Sequence, residues 1–255
     1  MSFARTVSDT RLIFLRYLRQ TLRSKVAVVF GALQPLLYLV LFGPLLSGLA
    51  EVRGSGAGAW QVFVPGVLVQ LALFGAGFVG FGLIADLRSG VVDRLRVTPA
   101  SRTALLLGRV LRDTAVVAFQ GVLLVAAGLA LGLRAPAGGI AVGLVLVVSL
   151  AVGVASLSYV LAMRTRSEDA FAPLLSAVTL PLMLLSGILL PMSLAPGWLD
   201  AVSRFTPFRY VVDATRAAFL GDYATAALAE GALVTVVLLV VSVALGARRF
   251  RAGDT

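Results

Sequence analysis

The sequence contains no cysteine and no histidine. The first absence excludes disulfides, thiolate metal sites, thiol catalysis, prenylation and palmitoylation. The second removes the commonest general base and metal ligand. Charge is scarce as well. Only 13% of residues are Asp, Glu, Lys or Arg, against about 25% in an ordinary soluble domain. Lys25 is the single lysine among 22 basic residues. A Walker A loop needs Gly-Lys-Ser/Thr, and Lys25 stands in Arg-Ser-Lys-Val. These residues therefore form no ATP site of that kind.

What is present is apolar. Of the 255 residues 59% are hydrophobic, and mean hydropathy is +0.99. That is more apolar surface than one soluble core can hide, so the chain reads as an integral membrane protein. Six windows lack charge: Val26–Ala50, Gly54–Ala85, Thr114–Leu133, Ala135–Met163, Ala170–Leu199 and Gly231–Ala247. A helix crosses the hydrocarbon with about 20 apolar residues. All but the last window reach that length. The last, at 17 residues, is almost purely Val, Leu and Ala and spans with little tilt. The expectation is an all-α membrane protein, one transmembrane domain over 1–255. Its six spans lie at about 26–50, 61–85, 114–133, 140–163, 170–191 and 231–247. A β-barrel would alternate polar and apolar residues, and these windows do not.

Basic residues in short flanks orient such a chain. Seventeen fall in 1–25, 86–113, 164–169 and 248–255, and five (Arg53, Arg134, Arg204, Arg209, Arg216) fall in the other flanks. Both termini are thus expected in the cytoplasm. The arginines sit at membrane edges, so nucleic acid is not expected as a partner. The N-terminal stretch is too charged before Val26 for a cleaved signal. On a helical wheel Arg5, Asp9, Arg16, Arg19 and Arg23 cluster opposite Phe3, Val7, Phe14 and Leu18, with Arg11 off the pattern. Segment 1–23 is therefore expected to lie on the membrane surface; a plain basic flank is the alternative.

The predicted spans hold no ionisable residue. That disfavours ion-coupled transport and membrane catalysis. A powered pump built on this chain needs a separate ATPase and a docking surface for it. Asp86–Asp113 offers the longest polar stretch on the basic side. Gly90 precedes a short helical run, Pro99 stops it, and Ser101 suits the N-cap of the next helix. Arg94 and Arg96 can reach carboxylates while Leu95 and Val97 fill a groove. A basic loop at anionic headgroups is the other reading. Between Pro191 and Glu230, prolines and aromatics alternate with charges, which suits the headgroup layer. There Arg209 and Asp213, and Asp213 and Arg216, stand at helix-pairing distances. The span polar groups Gln34, Gln70, Gln120, Ser149, Ser156, Ser158, Ser176, Thr179 and Ser186 are expected to bond between helices, and Gly75, Gly77, Gly80, Gly82, Gly128 and Gly132 to permit close packing.

Four stretches carry a resemblance. Gly90-Val-Val-Asp-Arg-Leu-Arg-Val-Thr-Pro-Ala-Ser-Arg102, with Leu107-Gly108-Arg109, resembles the first cytoplasmic loop of type-2 ABC exporter permeases, in the branch of daunorubicin/doxorubicin-resistance permeases. Phe63-Val-Pro-Gly66, Leu185-Ser-Gly-Ile-Leu-Leu-Pro191 and Phe205-Thr-Pro-Phe-Arg-Tyr-Val-Val-Asp-Ala-Thr-Arg216 before Gly221-Asp222 are similar to that family in the same order.

The resemblance implies a permease subunit of an ATP-driven exporter in the plasma membrane, not an enzyme. Its partners would be a second permease half, identical or homologous, and two copies of a cytosolic ABC ATPase. The latter would hold ATP and Mg; this chain would hold no cofactor or metal. It also implies an N-terminal interfacial helix and external re-entrant helices before the last span. A coupling helix is carried onto Asp93, Arg94, Leu95, Arg96, Val97, Thr98 and Pro99. The first and fifth spans border the export path in such proteins, which makes Gln34, Phe42, Phe171, Thr179 and Met183 path-lining candidates. The expected cargo is a hydrophobic or amphipathic drug, antibiotic or lipid-like molecule. Glycan export and a non-transporting scaffold or sensor are the alternatives.

Overall fold

The computed structural model describes residues 3–23, 33–34, 36–44, 58–96, 101–188 and 192–252. The described residues form helices joined by short turns. In order they are α1 (Phe3–Arg23), α2 (Ala59–Gly77), α3 (Gly80–Arg88), α4 (Val91–Arg96), α5 (Arg102–Ala130), α6 (Ala137–Thr165), α7 (Glu168–Leu185), α8 (Gly197–Ser203), α9 (Pro207–Leu220) and α10 (Ala226–Ala252). Residues 33–34 and 36–44 are also helical. Among the described residues five stretches are long and apolar enough to cross a membrane: Trp60–Arg88, Thr103–Ala130, Ala137–Thr165, Glu168–Leu185 and Ala226–Arg249. Most of the expected first span lies outside the described residues.

The second span is broken, and the break is built. Helix α2 stops at Gly77 and α3 restarts at Gly80. Ser158 of α6 fills the gap: its hydroxyl donates to the Gly77 carbonyl at 2.5 Å and accepts from the Gly80 amide at 3.0 Å. In hydrocarbon a freed backbone group has no water to bond, so a side chain must take its place. Gly80 is required because a Cβ there would collide with the Phe171 ring and the Ser158 hydroxyl. Gly82, grouped with it in the sequence, faces open space.

Helix α5 extends before the charge-free window, as the Ser101 N-cap leads one to expect. Ser101 caps it, its hydroxyl accepting from the Ala104 amide at 3.1 Å. The helix then carries Arg109, Arg112 and Asp113 before the apolar run begins. These charges lie just outside the charge-free window, on the same helix and inside the bundle. Window-counting rejects charges one at a time, whereas a helix buries them when they neutralise each other.

A single core runs through α2, α3, α5, α6, α7 and α9, with Tyr159, Phe171, Phe219, Leu68 and Leu150 among its fully buried side chains. Helix α1 packs along α5 through Ile13 and Tyr17 against Ala104 and Leu105. Its buried stripe is Thr10, Ile13 and Tyr17. Val7, Leu12 and Leu22 stay exposed. The buried face is thus rotated from the apolar face read on the wheel, because a Gly108 without Cβ lets Ile13 settle onto α5. Helix α10 leaves Leu233, Val236, Val237, Val240 and Val241 half or more exposed. Such a valine-rich outer face belongs in lipid.

Candidate functional site

Charged helix ends gather at one pole of the bundle. There Arg109 of α5 donates to Asp86 Oδ2 of α3 at 2.5 Å and to the Tyr17 hydroxyl of α1. Tyr17 in turn donates to Asp86 Oδ2 at 3.3 Å. The Arg109 guanidinium also lies over the Tyr17 ring, 4.5 Å from its centre, a favourable cation–π position. Arg109 is 3% exposed. A buried guanidinium is tolerable only when paired and bonded, and here one residue ties three helices. Burial, together with the adjacent Asp86, raises the Tyr17 phenol above its usual value of 10, against the opposing pull of Arg109. The hydroxyl therefore keeps its proton and remains a donor at neutral pH.

One turn along α5, Arg112 and Asp113 pair at 2.8 Å. Asp113 also accepts from the Tyr159 hydroxyl of α6. Farther round the pole the Asp9 carboxylate of α1 accepts from the Ser101 amide at 3.3 Å, and Arg88 meets Glu168 at 3.7 Å. Helix α4 hangs from this assembly. Gly90, at φ 70°, turns the chain into it. Val92 is buried and anchors it, and Arg94 is exposed. The side chains of Asp93, Leu95 and Arg96, and all of Val97, Thr98 and Pro99, lie outside the described residues.

Next to the Arg112–Asp113 pair a cavity of about 570 Å³ opens between α2, α5 and the helical residues Gln34 and Tyr38. Gln34 lines it together with Tyr38, Gln70, Phe74, Phe78 and Gln120. The other expected path residues do not. Phe42 stacks on Tyr38, ring centres 5.7 Å apart, and is exposed. Phe171 is fully buried, edge-on to Phe81 at 4.8 Å. Thr179 is buried on α7, and Met183 packs against the main core.

The opposite pole is held by Arg216. Its guanidinium donates to the carbonyls of Val62 at 3.1 Å, Gly187 at 2.7 Å and Ile188 at 3.2 Å. Asp213 stands 3.9 Å away. A Cβ on Gly66 would strike the Ile188 carbonyl oxygen, so glycine at 66 lets α2 touch the end of α7. Three of the sequence stretches singled out above thus meet at one point. Beside them, Arg209 reaches Asp200 of α8 at 2.6 Å and Asp213 at 3.7 Å. Sequence spacing found the weaker of these two partners.

The profile of the ABC-2 type transporter family matches residues 8–220. The chain belongs to that family. Similar proteins include a putative transport permease, ycf38, of Cyanophora paradoxa, 28% identical over 214 residues that cover 82% of this chain and 73% of the relative. The daunorubicin resistance ABC transporter permease protein DrrB1 of Streptomyces coeruleorubidus is 27% identical, covering 72% and 65%. The probable doxorubicin resistance ABC transporter permease protein DrrC of Mycobacterium tuberculosis is 25% identical, covering 84% and 78%. The protein is accordingly a multi-pass membrane permease, a transport subunit and not an enzyme. In the permease, the Tyr17–Asp86–Arg109 knot was missed by sequence reasoning because its members lie in three separate segments. The visible trace was Arg109, Arg112 and Asp113 on successive turns before an apolar run.

Proposed function

We propose that the permease is the membrane half of an ATP-driven exporter that moves a hydrophobic or amphipathic compound outward across the plasma membrane. A sixth span over 26–50 completes the bundle, with both termini cytoplasmic. Helix α1 lies at the inner surface with Val7, Leu12 and Leu22 toward lipid. Helices α8 and α9 dip into the outer leaflet. A cytosolic ABC ATPase, in two copies, binds ATP and Mg and docks on residues 93–99. A second permease half, identical or homologous, completes the assembly.

The observation that carries this reading is the Arg109 knot. It joins α1, the helix leading into α4, and the third span. Movement delivered to α4 or α1 therefore reaches α5 through a charge-assisted bond. The named activities of the DrrB1 and DrrC relatives support a drug-like cargo. Low net charge along the spans supports it too. Cargo must favour one state of the bundle over the other for hydrolysis to do work on it.

Charge reversal tests the docking. Arg94→Glu with Arg96→Glu is expected to abolish co-purification of the ATPase subunit while the permease still reaches the membrane. Normal co-purification of the double variant would reject residues 93–99 as the dock.

A further inference from the structure

We infer that the cavity between α2, α5 and the residues Gln34 and Tyr38 is a binding site, inside a single copy of the permease, for a neutral small molecule with an apolar ring body and a hydrogen-bond donor that meets the Gln70 amide oxygen. This rests on the export reading for its role in transport. Its existence as a site does not.

The cavity's volume of about 570 Å³ falls within the range of small-molecule pockets, roughly 300–1,000 Å³. Gln70 lines it at 6% exposure, and its Oε1 has no hydrogen-bond partner. A buried acceptor left without a donor is costly, and in an apolar wall a ligand donor satisfies it. Arg112 adds a second unmet group, its Nε, at the charged end of the same space. The Arg112 charge is already balanced by Asp113 at 2.8 Å, so the site favours a neutral ligand with an acceptor of its own. Phe74 and Phe78 stack at 5.9 Å with planes 11° apart. Phe78 is 41% exposed, and the pair offers a ring surface. The location matters for mechanism. The Arg112–Asp113 floor is one turn from Arg109, so a ligand seated there touches the segment that the knot moves.

The test uses the full permease in nanodiscs without ATPase or nucleotide. The probe is 1-aminoanthracene, which is neutral, aromatic and an N–H donor; 1-methylanthracene is its donor-free competitor. Wild type is expected to bind 1-aminoanthracene saturably above empty nanodiscs. Gln70→Leu is expected to reduce the preference for the amine over the methyl compound by roughly fivefold, leaving 1-methylanthracene binding unchanged. Val116→Trp, which fills the cavity, is expected to abolish both, with helix content checked by circular dichroism. No saturable binding, or a Gln70→Leu variant with unaltered preference, overturns the proposal whether or not Val116→Trp folds. Stronger displacement by dihexanoylphosphatidylcholine than by 1-methylanthracene overturns it in favour of a lipid. Binding without ATP-driven export in vesicles carrying the ATPase would sink the export reading and leave the site; export without binding would sink the site alone.

Discussion

Arg216 shows how one side chain organises a pole of the molecule. It is 7% exposed and donates to three backbone carbonyls from two separate segments. Burial lowers its pKa to about 10, Asp213 opposing the fall, so it stays charged at neutral pH. Arg216→Met removes the donors and leaves the acceptors buried. The expected loss is roughly 2–4 kcal/mol, read as a drop of at least about 5 °C in the thermal midpoint in nanodiscs. Asp200 behaves differently. Hydrogen bonds from Arg204 and Arg209 lower its pKa from 3.8. A carboxylate with a depressed folded pKa contributes stability above its unfolded value and loses it as pH falls through the folded one. The α8–α9 contact is therefore expected to weaken only below pH 3.8. Asp200→Asn should flatten that acid limb, as followed by hydrogen exchange of residues 197–210.

At the scale of elements, helix identity was legible because charge-free windows and capping residues are local. Ser101 ahead of α5 and Gly90 ahead of α4 are examples: each acts on the backbone beside it. The break between α2 and α3 was not legible. Gly75, Gly77 and Gly80 read as a packing stripe, and nothing nearby in sequence announces that Ser158, from another helix, completes the ladder. Ser158→Ala is expected to cost about 1–3 kcal/mol, since it strands a buried carbonyl and a buried amide together. Faster hydrogen exchange confined to residues 77–82 would accompany it; an unchanged exchange pattern would mean that the break is stable without Ser158. The burial of charge on α5 was not legible either. Arg109 and Asp113 border the charge-free window, yet both are 3% exposed. Each charge is unacceptable alone in an apolar setting and acceptable once Asp86, Tyr17, Arg112 and Tyr159 surround the pair.

For the whole molecule, the structure puts α1, Asp86, Ser101 and Glu168 at one pole and Arg134, Gly187 and Arg216 at the other. Because the chain has no cysteine, single cysteines report topology without background. Ser89→Cys is expected to react with a membrane-impermeant maleimide only in inverted vesicles, and Trp198→Cys only in intact cells. The reverse pattern would invert the orientation and place residues 93–99 outside, away from any cytosolic ATPase.

Composition and periodicity by themselves determined that this is a helical membrane protein with its charge biased to the loops of one face. Those properties are sums over local residues, and solvent enforces them wherever the chain folds. Only the tertiary structure decided which charges enter the bundle, where the second span breaks, and which face of α1 is buried. It alone revealed that Gln70 lines a cavity with its oxygen unmet. Each of these depends on a partner distant in sequence, and burial of a polar group is decided by that partner and not by the residue.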